Sequence, residues 1–159
     1  LVVTGKFTLT HIRNGEVLDV TQWENRVVTQ GLTYIAKILA RQAPVMLYIG
    51  LFSNAYTPVA GDTAASFPAS ANEFVGYAET NRVLWNTAIP STPTVTNAAN
   101  RAEFNITADA IINGAFMSTA PAKNAVTGEL YCAKNTTGPK TVTTGDTLLL
   151  QYDTIVTNV

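Results

Sequence analysis

The sequence predicts a mainly β fold: a jelly-roll-like two-sheet sandwich with an N-terminal β-hairpin and one short α-helix at about 30–42. Three observations point there. Past residue 73, short apolar or alternating runs recur with turn signals about every 8–15 residues, the cadence of a sandwich. Near the start, Asn14-Gly15 separates two strand-like runs. Between these regions a single segment shows convincing helical spacing. The expected organisation is one domain over 1–159, with a hairpin in 1–28, the helix in 29–43 and sandwich strands in 45–159.

The hairpin follows from local chemistry. Asn-Gly tolerates positive φ at both central turn positions, so it closes a two-residue type I′ turn between Phe7–Arg13 and Glu16–Trp23. In that register Arg13 faces Glu16, Ile12 faces Val17 and Leu9 faces Val20. Phe7, Leu9, Leu18 and Val20 then share an apolar face. Thr8, Thr10, Asp19 and Thr21 share the other, interrupted by Ile12, Val17 and Trp23.

The helix rests on Leu32, Ile35, Ile38 and Leu39, which form one narrow apolar stripe at a period of 3.6. Thr29 suits the N-cap, where its hydroxyl can accept from a free amide of the first turn. Pro44 stops the helix by disfavouring helical geometry in the residue before it. The apolar run Met46 to Phe52 is too short for a second helix and reads as a strand buried on both faces, against which Ile35 and Leu39 should pack.

The remaining elements come in order. Ser53–Asn72 is a long loop in which Phe67 and Pro68 serve either as an anchor or as an exposed contact. Phe74–Tyr77 and Arg82–Trp85 are short strands, and Ile89–Asn100 is a second long connection. Arg101–Thr107 alternates strictly, so one face meets water. Ile111–Met117 follows, with a bulge expected at Gly114. Gly128–Lys134, a turn at Gly145-Asp146 and a last strand over Leu148–Val156 complete roughly eight strands after the helix.

Only 13 % of residues are charged and the formal net charge is −1, which argues against a nucleic-acid partner, where a basic face is expected. No apolar run approaches the ~20 residues of a membrane span. Leu1-Val2-Val3-Thr4-Gly5-Lys6 lacks a basic start and a cleavage site, so no signal peptide is expected.

Residues that carry chemistry are few. The one histidine, His11, lies in a hairpin strand and reads as solvated or partly packed. Cys132 is the one cysteine and sits in an apolar run, so it reads as a buried, inert thiol. Asp109, Asp146 and Asp153 are spread singly, without the ligand spacing of a calcium loop. Glu103 and Glu129 are a conceivable acid/base pair, but nothing in the sequence brings them together. Tyr48, Tyr77, Trp85 and Tyr131 alternate with aliphatic residues, which favours packing over a stacking platform for sugars. Neither catalytic residues nor cofactor or metal ligands are assigned.

The parts in order are Asn25–Leu32 opening a helix, Tyr48–Phe52, a Pro58–Asp62 loop, Glu73–Tyr77, Arg82–Trp85, Ile112–Ser118 and Gly145–Leu148. This sequence of parts resembles a group of tailed-bacteriophage structural proteins of similar size: capsid cement (decoration) proteins with a jelly-roll sandwich, and related head-fibre or tail-associated modules. The resemblance implies a non-enzymatic protein on the exterior of the virion. Its implied partners are the phage major capsid protein and further copies of itself, as a homodimer or homotrimer, with no nucleic acid or membrane. Leu1, Val2 and Val3 at the start, and Phe67 and Pro68 in the long loop, are the candidate interface. The second reading is a head- or tail-fibre module that binds a receptor or glycan. The third is a glycan hydrolase.

Overall fold

β1 (Val2–Arg13) and β2 (Glu16–Val27) form the expected hairpin in the computed structural model, which describes residues 2–42 and 46–157. Asn14 and Gly15 take φ of 51° and 79°, the positive values that a type I′ turn requires. Arg13 faces Glu16 and Ile12 faces Val17, as expected. Leu18 is then an extra residue on β2, and below it His11 faces Asp19, Leu9 faces Thr21 and Phe7 faces Trp23. A one-residue shift exchanges the two faces of a strand. The expected Leu9–Val20 pair is therefore absent, and Leu18 and Val20 point to solvent instead of joining Phe7 and Leu9. Trp23, expected on the polar face, is buried and stacks on Phe7 with ring centroids 5.3 Å apart.

Two antiparallel sheets pack together as the predicted sandwich. In the first, β10 (Thr147–Thr157) lies on the far side of β1 from β2. β6 (Thr94–Thr96) and β7 (Ala102–Asn105) share the outer edge of β10. In the second sheet β8 (Ala110–Ser118) lies between β9 (Leu130–Val142) and β3 (Tyr48–Phe52). β4 (Glu73–Phe74) and β5 (Val83–Leu84) share the outer edge of β3. The end of β2 joins the sheets at one corner, where Arg26 and Val27 pair with Ala133 and Cys132. Eight strands follow the helix among the described residues, the number expected. β9 runs on to Val142, well past the expected end at Lys134.

Alternation along the strands fills the space between the sheets. Phe7 and Leu9 from β1, and Leu148, Leu150 and Tyr152 from β10, face Ile49, Leu51, Ile112 and Met117 across the core. On β7, Ala102 and Phe104 are buried while Glu103 and Asn105 are exposed, as the strict alternation predicts. The bulge expected at Gly114 lies next to it, between Ile112 and Gly114.

Helix α1 spans Thr29–Leu39, shorter than expected, and Pro44 lies outside the described residues. Val28 is the N-cap and Thr29 is already helical, with no side-chain capping bond. The buried face is Gly31 and Tyr34, with Ile35 partly buried beside them; Leu32, Ile38 and Leu39 are exposed. The reason is the close approach of α1 to β9. A Cβ on Gly31 would stand 2.0 Å from the Tyr131 carbonyl oxygen, so contact is centred on the one residue without a side chain. Gln30 adds a polar stitch: its Oε1 accepts from the Ala64 and Leu130 amides at 2.9 and 2.7 Å.

The long loop after β3 carries a short helix, α2 (Phe67–Ala71), and its ends are drawn together by the Ser53 amide bonding to Asn72 O and the Asn54 amide bonding to Ala71 O, both at 3.0 Å. Phe67 is fully buried among Phe52, Tyr56 and Phe116, and Pro68 is buried too. These two residues are the loop's anchor and are removed from the candidate interface.

Candidate functional site

Each residue type that carries chemistry has a structural occupation. His11, expected to be solvated or partly packed, is buried, and its Nε2 lies 2.7 Å from Asp146 Oδ2. Arg13, on the same face of β1, donates to the same carboxylate from Nε at 2.7 Å and from Nη2 at 2.8 Å. The Thr143 amide adds a fourth bond at 2.9 Å. The Arg13 guanidinium, helped by that amide and by His11, holds the Asp146 carboxyl well below the usual carboxylate range against the opposing effect of desolvation. This cluster ties the β9–β10 turn to the hairpin, and every oxygen lone pair it spends is spent on the fold.

The other candidates are separated. Cys132 is fully buried, and burial pushes its thiol up to about 12, which removes the thiolate needed for attack. Glu129 pairs with Lys37 and Glu103 bonds to Asn105, so neither carboxylate is bonded to the other. Asp109 accepts from the Thr144 amide at 2.8 Å, and Asp153 accepts from Thr96 and Gln151. Among the described residues no group of three or more His, Cys, Asp or Glu is placed to hold a metal ion, and no helix is long and apolar enough to cross a membrane.

The aromatic set is part of the packing. Tyr77 and Tyr131 are buried, and Trp85 is partly buried with its Nε1 donating to Tyr152 O at 3.0 Å. Burial pushes the Tyr131 hydroxyl up to about 12. Of the expected interface residues, Leu1 lies outside the described residues. Val2 and Val3 are tied into β1, opposite Thr157 and Val156 of β10, and do not form a free arm.

Three surface features remain among the described residues, and of these the sequence pointed only to Val17 on an outward face. Near the hairpin turn the bulge turns Leu18 and Val20 to solvent beside Val17, which keeps its expected partner Ile12 and is exposed as well. A polar cleft of about 630 Å³ opens where β2 and β9 diverge, between Gln22–Asn25 and Lys134–Thr137. An apolar cleft of about 470 Å³ lies under α1. No protein-family model matches the chain, and no curated protein matches it.

Proposed function

We propose that the chain is a non-enzymatic virion structural protein, a capsid cement protein that binds the assembled phage head from outside and stabilises it. The observation that carries this reading is the aliphatic edge of the hairpin: Val17, Leu18 and Val20 are 59, 50 and 56 % exposed within four consecutive positions. A solvent-facing cluster of this kind suits a contact with another protein better than it suits water. The hairpin that presents it is braced, because β1 pairs along nearly its whole length with β10 and Asp146 grips Arg13 near the turn. A rigid element loses little conformational freedom on docking. Repetition on a shell then makes weak apolar contacts sufficient, since each further contact by a linked copy is intramolecular.

The fibre-module alternative has one feature in its favour, the polar cleft between β2 and β9. Its aromatic residue, Trp23, is 6 % exposed and stacked on Phe7, so the cleft offers a sugar little ring face. Co-sedimentation with empty shells and with free capsid subunits, beside a host-cell and glycan-binding assay, tests the proposal. Binding to shells with little binding to free subunits is expected. Host-cell or glycan binding without shell binding would favour the fibre module.

A further inference from the structure

We infer that the α1 end of the sandwich is a self-association face, where a second copy of this chain docks about a two-fold axis and each copy seats Ile89 in the other's apolar cleft. The cleft lies between α1 and the strands, with Ile35, Ile38, Leu47, Leu84 and Trp85 in its walls and Met46 at its rim. Leu39, 75 % exposed, stands one residue beyond Ile38 on the same helix. Ile89 is 96 % exposed and lies two residues past Thr87, itself a wall residue. Pro90 biases Ile89 towards an extended backbone, which limits the conformations this exposed side chain has to give up on docking. Single exposed aliphatic residues need no explanation, but a group of them around an apolar cavity marks a contact site.

The occupant follows from charge and symmetry. A two-fold interface uses the same patch on both copies, so the patch has to complement itself, which an uncharged apolar cleft with an aliphatic knob beside it does. None of the residues lining the cleft is charged. Knob and hole also lie on one face, which lets the contact close as a pair instead of growing into a fibre. The hairpin turn is at the other end of β2 from α1, roughly 35 Å away along an extended strand, so a pair presents both hairpins freely.

This inference rests on the assembly-protein reading, and sedimentation without any shell separates its failure from a failure of shell binding. Analytical ultracentrifugation over a concentration series should show the parent as a dimer. Ile89→Asp should weaken dimerisation by about thirtyfold or more, the loss expected of a central anchor, while its circular dichroism spectrum matches that of the parent. Val17→Asp should leave the dimer intact. Mixing Ile89→Asp with Ile38→Asp should restore a heterodimer tighter than either variant forms alone, because one sound knob then meets one sound cleft. A parent that is monomeric at every concentration, or an Ile89→Asp protein as dimeric as the parent, would overturn the inference. So would a monomeric parent that binds an apolar fluorescent dye in the cleft, which would make it a small-molecule site.

Discussion

Arg82 holds Glu73 through two parallel bonds, Nε to Oε1 at 2.9 Å and Nη2 to Oε2 at 2.7 Å, with both side chains at most 1 % exposed. The same guanidinium donates to the Ala120 and Ala125 carbonyls, and Glu73 also accepts from the Asn124 amide. The pair thus pins the β8–β9 connection to the outer edge of β3. Arg82→Ala leaves a buried carboxylate with only that amide, and should cost about 3–5 kcal/mol in urea unfolding. Arg82→Met with Glu73→Leu should cost less than the single change, because no buried charge is stranded.

Asp146 makes stability depend on acid. Its folded pKa is depressed, so its contribution is complete above the unfolded value of about 3.9 and is lost as pH falls through the folded one. Thermal melts should therefore show declining stability from about pH 5 towards pH 2. Asp146→Asn should be less stable at neutral pH and show a shallower decline. Asp19, also lowered by its bonds to Lys140 and Thr21, supplies part of the residual slope.

Gly31→Ala reverses an ordinary rule. In an open helix interior the change gains about 1 kcal/mol. Here the new methyl would meet backbone, the Tyr131 carbonyl at 2.0 Å, so α1 has to move off β9. The variant should melt below the parent, and a stabilised variant would show that α1 is not seated on β9.

The two faces of α1 should respond in opposite ways. Tyr34 is 2 % exposed and packs edge-on against Tyr131, so Tyr34→Ala should cost about 3–5 kcal/mol. Leu32→Ala, at an exposed position outside the cleft, should stay within about 0.5 kcal/mol of the parent, as substitutions on open surface do. Chemical denaturation of both variants decides the face.

What the sequence made legible was local. Asn14-Gly15 dictates its own turn, and the alternation of Ala102, Phe104 and Ile106 fixes which side of β7 is buried whatever lies opposite. The register below Leu18 was not legible, because Val17, Leu18 and Val20 place aliphatic residues on both parities of β2 and give no preference for either face. In α1 the aliphatic stripe faces mostly outward, with only Ile35 packed against the core, since the contour of β9 seats Gly31 and Tyr34. His11 and Asp146 stand 135 positions apart, so their bond appears only when β1 and β10 lie side by side. The proposed contact surfaces were hidden for the same reason. Exposed aliphatic residues read as core until the fold shows which of them the core has no room for.

Shell binding at low salt and at about 1 M salt, measured for the parent and for a Val17→Asp/Val20→Asp double variant, tests the cement-protein proposal most directly. At 1 M the Debye length is about 3 Å, so exposed ion pairs are screened while apolar contacts persist. The account predicts that the parent stays bound to shells in both conditions. It predicts that the double variant, whose changes lie at exposed positions, melts like the parent but fails to bind in either. Parent binding that disappears at high salt, or a double variant that binds as well as the parent, would contradict an apolar hairpin contact.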